Sequence, residues 1–182
     1  MAAAIANFMA TQVASELEDL FRAHHARVLK AAYRVTGSLA DAEDVAQSVF
    51  LRLARKDIDR SRITNLESYL HRAAVNAALD LIRSRGNREA VPVEAADELE
   101  SNASLSPERV HSSSEIRDWL RRELAKLNAR AAEMFTLRYI EGRDNPEIAE
   151  MLQTSQAVVA VTLHRTRARL KKELRGFMKG AS

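Results

Sequence analysis

Apolar side chains recur at steps of three and four residues along most of this chain, which is the spacing of one face of an α-helix. The first run extends from Leu17 to Val35, and Gly37 stands just beyond it, where helices often end on a glycine. The chain has only 5 Gly and 3 Pro among 182 residues, and the strong helix formers Ala, Leu, Arg and Glu dominate. We therefore predict an all-α fold.

Helix-initiating residues mark two further helices in the first half of the chain. Ser38 is placed as the N-cap of a helix over about Leu39 to Arg55. The pattern Thr64-x-x-Glu67 is typical of a capping box, and it opens a third helix. Three helices predict a compact N-terminal domain over residues 17–88, after an N-terminal extension of residues 1–16.

Charge is segregated in the second half of the chain. Residues 89–114 lack helical periodicity and collect Ser, Asn, Pro and acidic residues, which predicts a flexible linker. Between Glu89 and Asp118 eight acidic residues stand against two arginines, whereas from Ala160 onward seven basic residues stand against one glutamate. An acidic linker beside a basic C-terminal helix indicates a polyanionic partner.

A second small helical domain is predicted over residues 115–178. Its core candidates are Trp119, Leu120, Leu124, Leu127, Met134, Phe135 and Leu137. Asp144-x-x-Glu147 is a second capping box, and a short turn separates the helix it opens from a long basic helix over about Gln156 to Leu174. A helix, a short turn and a basic helix form the helix-turn-helix pattern of DNA-binding proteins.

Several classes of protein are disfavoured by the composition. The chain has no cysteine, and its five histidines show no metal-ligand spacing, so we expect no metal site and no cofactor. No nucleophile and base stand at a catalytic spacing, so we expect that the protein is not an enzyme. No run approaches the length of a membrane span and no signal peptide is recognisable, which predicts a soluble, cytoplasmic protein without membrane insertion.

The segment DAEDVAQSVFLRL, residues 41–53, predicts a helix with one acidic face. Its apolar side is Val45, Ala46, Val49, Phe50 and Leu53, and its polar side is Asp41, Asp44, Gln47, Ser48 and Arg52. From the spacing alone, a solvated surface with a good N-terminal cap is the simpler explanation of the acidic face. Leu51 falls within the polar side, however, and would be exposed unless another molecule docks there.

The third helix carries a polar stripe of Arg72, Asn76, Asp80 and Arg83, at three- and four-residue steps. Asn and Arg donate hydrogen bonds to base edges and phosphates, so this stripe is able to face DNA. The alternative is an ordinary core helix with the stripe solvated, whose buried residues would be Tyr69, Leu70, Ala73, Ala74, Ala77, Ala78 and Leu81.

Three motifs, in order, resemble the bacterial sigma-70 family, specifically its small extracytoplasmic-function (ECF) members. Asp-Ala-Glu-Asp-Val-x-Gln-x-Val-Phe is similar to region 2.2, and YLHRAAVNAALDLIRSR is similar to regions 2.3 and 2.4. LRYIEGRDNPEIAEML with the following VVAVTLHRTRARLKKEL is similar to region 4. The resemblance covers roughly Leu17 to Leu174 with the linker unmatched.

The resemblance implies a function and a set of contact residues. The protein would bind core RNA polymerase, through its largest catalytic subunits, and promoter DNA, with an anti-sigma factor as the usual regulatory partner. The core-polymerase contacts would be Asp41, Asp44, Gln47 and Phe50. The −10 element would be read and opened by Tyr69, Arg72, Asn76, Asp80 and Arg83, with help from the loop before this helix. The −35 element would be bound by Gln156, Ala157, Ala160, Val161, His164, Arg165 and Arg167.

The sequence departs from the family pattern in two places. Tyr69 stands where many members have Trp. Ala160 and Val161 stand where a basic and a small polar residue are usual, and Ala157 where Gly is common. We therefore expect an unusual −35 element, with more apolar contact to thymine methyl groups.

Two other functions remain open on the sequence. A helix-turn-helix regulator would bind DNA without being a polymerase subunit, and it leaves the acidic face unexplained. A helical adaptor, in which the basic helix is only a surface, predicts no salt-dependent affinity for DNA.

Overall fold

The computed structural model describes residues 2–55, 63, 65–86 and 107–180. These residues form seven α-helices and no strand, in agreement with the predicted all-α fold. The helices are α1 (Ala2–Thr36), α2 (Leu39–Ala54), α3 (Leu66–Gly86), α4 (Pro107–Ala125), α5 (Ala129–Tyr139), α6 (Asn145–Met151) and α7 (Gln156–Gly180). None of the helices in this part of the chain is long and apolar enough to cross a membrane.

The N-terminal domain is a three-helix unit in which α1, α2 and α3 pack on one another. Its fully buried apolar side chains are Val28, Ala31, Ala32, Val35, Ala42, Ala46, Leu53, Leu70, Ala74, Val75, Ala78 and Leu79. Many of these are alanine or valine, so the three helix backbones approach closely. The predicted core of α3 missed Val75 and Leu79, which fill the space next to Ala74 and Ala78.

The turn between α1 and α2 is built as the sequence predicts. Gly37 has φ +72°, a left-handed conformation that glycine adopts without steric cost, and its N–H donates to the carbonyl of Tyr33 at 2.7 Å. The Ser38 hydroxyl accepts a hydrogen bond from the Asp41 N–H at 3.3 Å, which confirms it as the N-cap of α2.

Three helices begin at other residues than the sequence pattern suggests. Helix α1 begins at Ala2, so the helix includes most of the predicted N-terminal extension. At the start of α3 the capping acceptor is Asn65, whose Oδ1 accepts from the Ser68 N–H at 2.9 Å, while Thr64 lies outside the described residues. Helix α4 begins at Pro107, within the predicted linker, because proline is favourable in the first turn of a helix.

The second domain comprises α4 to α7, and its core agrees with the prediction. Trp119, Leu124, Leu127, Met134, Phe135 and Leu137 are buried, and Leu120 is partly buried. The ring of Trp119 packs on that of Phe177, with centroids 6.1 Å apart, which ties the end of α7 back to α4. Helix α7 therefore continues six residues beyond the predicted end at Leu174.

The two domains pack against each other. Helix α3 contacts α4, α5 and α6 as well as α1 and α2, and the buried apolar residues of both domains form one cluster. The centre of the molecule is therefore α3, with one domain on each side.

Candidate functional site

A groove of about 700 Å³ lies between α1 and α2 on the outer surface of the N-terminal domain. Its lining residues are Leu17, Glu18, Phe21, His25, Glu43, Asp44, Gln47, Phe50, Leu51 and Ala54. Phe21 and Leu51 are 42% and 49% exposed, so the predicted exposure of Leu51 is confirmed. The Phe50 ring forms part of the floor and packs on the edge of Phe21, with centroids 4.9 Å apart. An apolar floor with carboxylates at its rim suits a basic, amphipathic helix.

Asp41 does not belong to this groove, which corrects its assignment to the polar face. It is only 5% exposed, and its carboxylate accepts two hydrogen bonds from the guanidinium of Arg85 at the end of α3. Asp41 lies one turn before Val45, on the side of α2 that faces α3. The arginine neutralises a charge that this position would otherwise bury unpaired.

The predicted polar stripe of α3 points toward the second domain over half of its length. Arg72 and Asn76 both donate to Oε1 of Glu133 on α5, at 3.1 Å and 2.9 Å. Arg72 also donates to the carbonyl oxygen of Met151 at the end of α6, at 2.6 Å. The stripe is therefore not a solvated face, since two of its members are engaged by the other domain.

The other residues predicted for the −10 element are Asp80 and Arg83, toward the end of α3, and Tyr69, near its start. Asp80 is exposed and accepts from Arg83 at 2.9 Å, one turn further along the same helix. Tyr69 is partly buried and packs against the core. These three residues do not share the contact with Glu133, so the structure divides the predicted −10 set in two.

The helix-turn-helix unit consists of α6 and α7. The predicted capping box is present, because the Glu147 N–H donates to Asp144 and the Asp144 N–H donates to Glu147, both at 2.8 Å. The pKa of Glu147 is below its usual value, mainly because the carboxylate accepts the hydrogen bond from the Asp144 N–H. The hydrogen bond from the Arg143 guanidinium lowers this pKa further. The charged carboxylate therefore supports the cap at neutral pH, and this contribution is lost as the pH falls below about 4.5.

All seven residues predicted for −35 contact are exposed on α7. Val159, Leu163 and Thr166 lie on the opposite side and hold the helix against the domain. Val158 and Val161 are 48% and 49% exposed, although valine is among the residue types most often found buried. The outward face of α7 therefore begins apolar and continues into a row of arginines.

Three important residues were not found from the sequence. Phe21 belongs to the groove but stands in the periodic apolar pattern of α1, where it reads as core. Val158 completes the exposed apolar face of α7. Glu133 is only 6% exposed within an apolar helix, and a buried carboxylate amid apolar residues was the signal that it must have a cationic partner.

The fold and its helix-turn-helix unit define a two-domain, all-helical DNA-binding protein. Residues 20–88 match the family model described as Sigma-70 region 2, and residues 117–170 match the one described as Sigma-70, region 4. The ferric citrate uptake sigma factor FecI of Escherichia coli is 32% identical over 147 residues, covering 80% of this chain and 84% of FecI. The chain belongs to the ECF subfamily of the sigma-70 family.

Three other proteins are similar to this chain, one in sequence and two in structure. The ECF RNA polymerase sigma factor SigE of Mycolicibacterium smegmatis is 32% identical over 156 residues, and the match spans 85% of this chain but 60% of SigE. Among solved structures, CnrH in complex with the cytosolic domain of CnrY aligns with TM-score 0.51 and 23% identity, over 93% of this chain and 96% of that one. The sigma factor RpoE of Bartonella quintana, in complex with the anti-sigma factor NepR, aligns with TM-score 0.51 and 19% identity, over 88% and 97%. These two structures support the fold.

The two aspartates of α2 separate a structural role from a surface role. We expect Asp41→Asn to lower the free energy of unfolding by about 1–2 kcal/mol, because it weakens a charge-assisted pair at a buried position. Asp44→Asn, on the exposed rim of the groove, should change it by less than about 0.5 kcal/mol. Urea unfolding of the full chain measures both, and equal effects of the two substitutions would contradict this assignment. In combination with Arg85→Gln, Asp41→Asn should add little further loss.

Proposed function

We propose that this chain is a dissociable specificity subunit of bacterial RNA polymerase that joins the core enzyme and directs it to promoters by binding their −10 and −35 elements. The proposal rests on one observation: a chain of this family has an acidic groove on one domain and a basic helix-turn-helix on the other. The chain itself carries out no bond chemistry, and its place of action is the cytoplasm, with the polymerase.

The groove is the proposed docking site for core polymerase. Asp44 and Gln47 stand on its rim and Phe50 in its floor, so a partner helix would meet carboxylates at its edges and apolar contact at its centre. The charges set the register and the encounter rate, while burial of Phe21 and Leu51 supplies affinity. Asp41 contributes indirectly, by fixing α2 against α3 through Arg85.

The polar stripe of α3 and the residues before it are the proposed −10 site. Arg72 and Asn76 supply donors for base edges and phosphates, and Arg83 adds a guanidinium plane on which an unpaired base can stack. Capture of unstacked bases offsets an opening cost of a few kcal/mol, so strand separation needs no nucleotide hydrolysis. Residues 56–62 of the preceding loop lie outside the described residues.

The outward face of α7 is the proposed −35 site. Its first two turns enter the major groove, where Val158 and Val161 meet the methyl groups of thymine, and Arg165 and Arg167 reach phosphates. The domain division we propose remains 17–88 for the polymerase and −10 functions and 115–178 for the −35 function. The acidic residues of the linker 89–114 would face the nucleic-acid path of the polymerase.

An anti-sigma protein is the proposed regulator. One structural neighbour, the sigma factor RpoE, is in complex with the anti-sigma factor NepR, and another, CnrH, is in complex with the cytosolic domain of CnrY. For this chain, such a partner would have to cover the groove, the stripe of α3 or the face of α7 to prevent transcription.

The test of this function is transcription in a purified system. The chain is added to bacterial core RNA polymerase with genomic promoter fragments, including its own upstream region, and we expect discrete run-off transcripts that core polymerase alone does not produce. If the chain shifts DNA in gels yet neither binds core polymerase nor changes transcription, the helix-turn-helix regulator replaces this proposal. Absence of any salt-dependent DNA affinity would favour an adaptor.

Reversal of one charge in the groove tests the docking site. We expect Asp44→Arg to abolish core binding, with no change in the circular dichroism spectrum, because the substitution places like charges in contact. Asp19→Arg is the control, since it makes the same charge change at an exposed position of α1 outside the groove. Affinities measured by surface plasmon resonance that are equal for both variants and the parent would contradict the site.

Removal of single methyl groups tests the apolar reading of the −35 element. At a thymine that contacts Val158 or Val161, replacement by uracil should weaken binding about fourfold, the effect of withdrawing one methyl group from an apolar contact. With Val161→Ala, the same replacement should have little further effect at the thymine that Val161 contacts. Uracil outside the element is the control. Uracil-insensitive binding would exclude methyl reading while leaving −35 binding itself intact.

A further inference from the structure

A cleft of about 220 Å³ lies between α1, the first turns of α3 and the turn that follows α5. It shares no lining residue with the groove, and none of its lining residues belongs to the proposed −10 or −35 contacts. Its cations are Arg27, Lys30 and Arg34 of α1 and Arg143 beyond α5, and its carboxylates are Glu67 and Glu141. The cleft is therefore separate from the surfaces proposed for polymerase and for DNA.

Positive charge predominates in the cleft. Arg27, Lys30 and Arg34 follow one another at steps of three and four residues, so they share one face of α1, where like charges repel. Arg143 lines the same cleft from the second domain. Four permanent cations stand against two carboxylates in the lining, and this excess of positive charge destabilises the arrangement unless an anion balances it.

The ion pairs of these cations leave donors for a ligand. Arg27 approaches Glu67 to 2.6 Å through Nη1, and Arg34 donates from Nη1 to Glu141 at 3.2 Å. Arg143 donates from Nη1 to Glu147, an exposed residue outside the lining, at 3.0 Å. A guanidinium group has five N–H donors, so each arginine keeps several.

Lys30 contributes a whole ammonium group to the cleft. Its side chain has no ion-pair or hydrogen-bond partner among the described residues. An ammonium group carries three donors and a full positive charge. Lys30 is therefore the cation of the cleft that an anion can engage without displacing a carboxylate.

The buried end of the cleft has two polar atoms that lack a partner in the part of the chain that the structure describes. Nε2 of His71 lies 2.9 Å from Oε2 of Glu141, and these side chains are only 12% and 4% exposed. Nδ1 of His71 and Oε1 of Glu141 have no hydrogen-bond partner. Buried polar atoms are nearly always hydrogen-bonded, so this pair indicates a polar ligand in the cleft that they line.

The size, charge and donors of the cleft define one chemical class of ligand. Sites for drug-sized ligands have volumes of about 300–1,000 Å³, so this cleft suits a smaller molecule. A phosphoryl group carries a charge of about −1.5 to −2 at pH 7 and has three acceptor oxygens, which suit donors that converge from α1 and from beyond α5. A hydroxyl group both donates and accepts, so it can satisfy Oε1 of Glu141 and Nδ1 of His71 together.

We propose that this cleft binds a small phosphomonoester that carries a hydroxyl group. Lys30, Arg34 and Arg143 hold the phosphoryl group, and Glu141 and His71 meet the hydroxyl group. These residues come from both domains, so the affinity for the ligand and the packing of the domains are thermodynamically linked. The site does not depend on the proposed promoter contacts.

Isothermal titration calorimetry of the full chain with glycerol 3-phosphate tests the ligand class, at low ionic strength because salt screens exposed charges. We expect one molecule to bind per chain with a Kd of about 1 mM or tighter. Glycerol, which lacks the phosphoryl group, should not bind. Inorganic phosphate, which lacks the glycerol hydroxyls, should bind about threefold more weakly or worse, the effect of one lost hydrogen bond.

Two results of this titration would overturn the proposal. The first is no detectable binding of glycerol 3-phosphate, which would exclude the site. The second is equal affinity for glycerol 3-phosphate and inorganic phosphate, which would leave a simple phosphate site and exclude the role of the hydroxyl group.

Substitution of single cations tests the location of the site. We expect Lys30→Gln to weaken binding of glycerol 3-phosphate at least about fivefold, because it removes a charge-assisted contact. Lys171→Gln is the matched control, since it makes the same change at an exposed position of α7 outside the cleft, and it should leave the affinity unchanged. Arg143→Gln, in the second domain, should weaken binding by a factor similar to that of Lys30→Gln.

The variants also distinguish the cleft from general attraction to a basic protein. Lys30 and Lys171 are both exposed, so both variants should fold, and circular dichroism checks this. Unchanged affinity in Lys30→Gln, or an equal loss in the two lysine variants, would exclude the cleft as the site. Unchanged affinity in Arg143→Gln would limit binding to α1 and overturn the site between the domains.

Discussion

Close packing on both sides of α3 is the constraint on which the rest of the molecule depends. Ala74, Val75, Ala78 and Leu79 are fully buried, and their small or medium volumes allow α1 and α2 to approach the helix backbone. The adjacent face of α3 carries Arg72 and Asn76 and meets the second domain. Larger residues at the alanine positions would push α1 and α2 away and would also displace the stripe that the proposed −10 function requires.

Buried carboxylates determine how the helices are oriented around this centre. Asp41 fixes the start of α2 to the end of α3 through Arg85, and Glu133 and Glu141 fix the second domain to α3 and α1. Apolar packing tolerates many small rotations, whereas a buried charge is satisfied only where its donors converge. The same rule makes the domain contact reversible, because water satisfies these charges once they are exposed.

Opposite charges on the two outer surfaces would allow one small chain to serve the two proposed partners, core polymerase and DNA. The groove of the N-terminal domain is acidic at its rim and apolar in its floor, and the outward face of α7 is apolar at its start and basic beyond. The acidic rim of the first surface would repel DNA, and the basic second surface would repel the basic partner helix proposed for the groove. Each partner is thereby directed to one domain, and the stripe of α3 lies between the two surfaces.

Much of this architecture was readable from local patterns. The sequence by itself determined the helices, the caps at Ser38 and Asp144, the helix-turn-helix and most of the core, because these depend on side chains a few residues apart. It also indicated the exposed Leu51. Only the tertiary structure decided that Asp41 turns inward and that Arg72 and Asn76 meet Glu133. Those partners lie 44, 61 and 57 residues apart in the chain, and no local periodicity encodes which buried charge will find which donor.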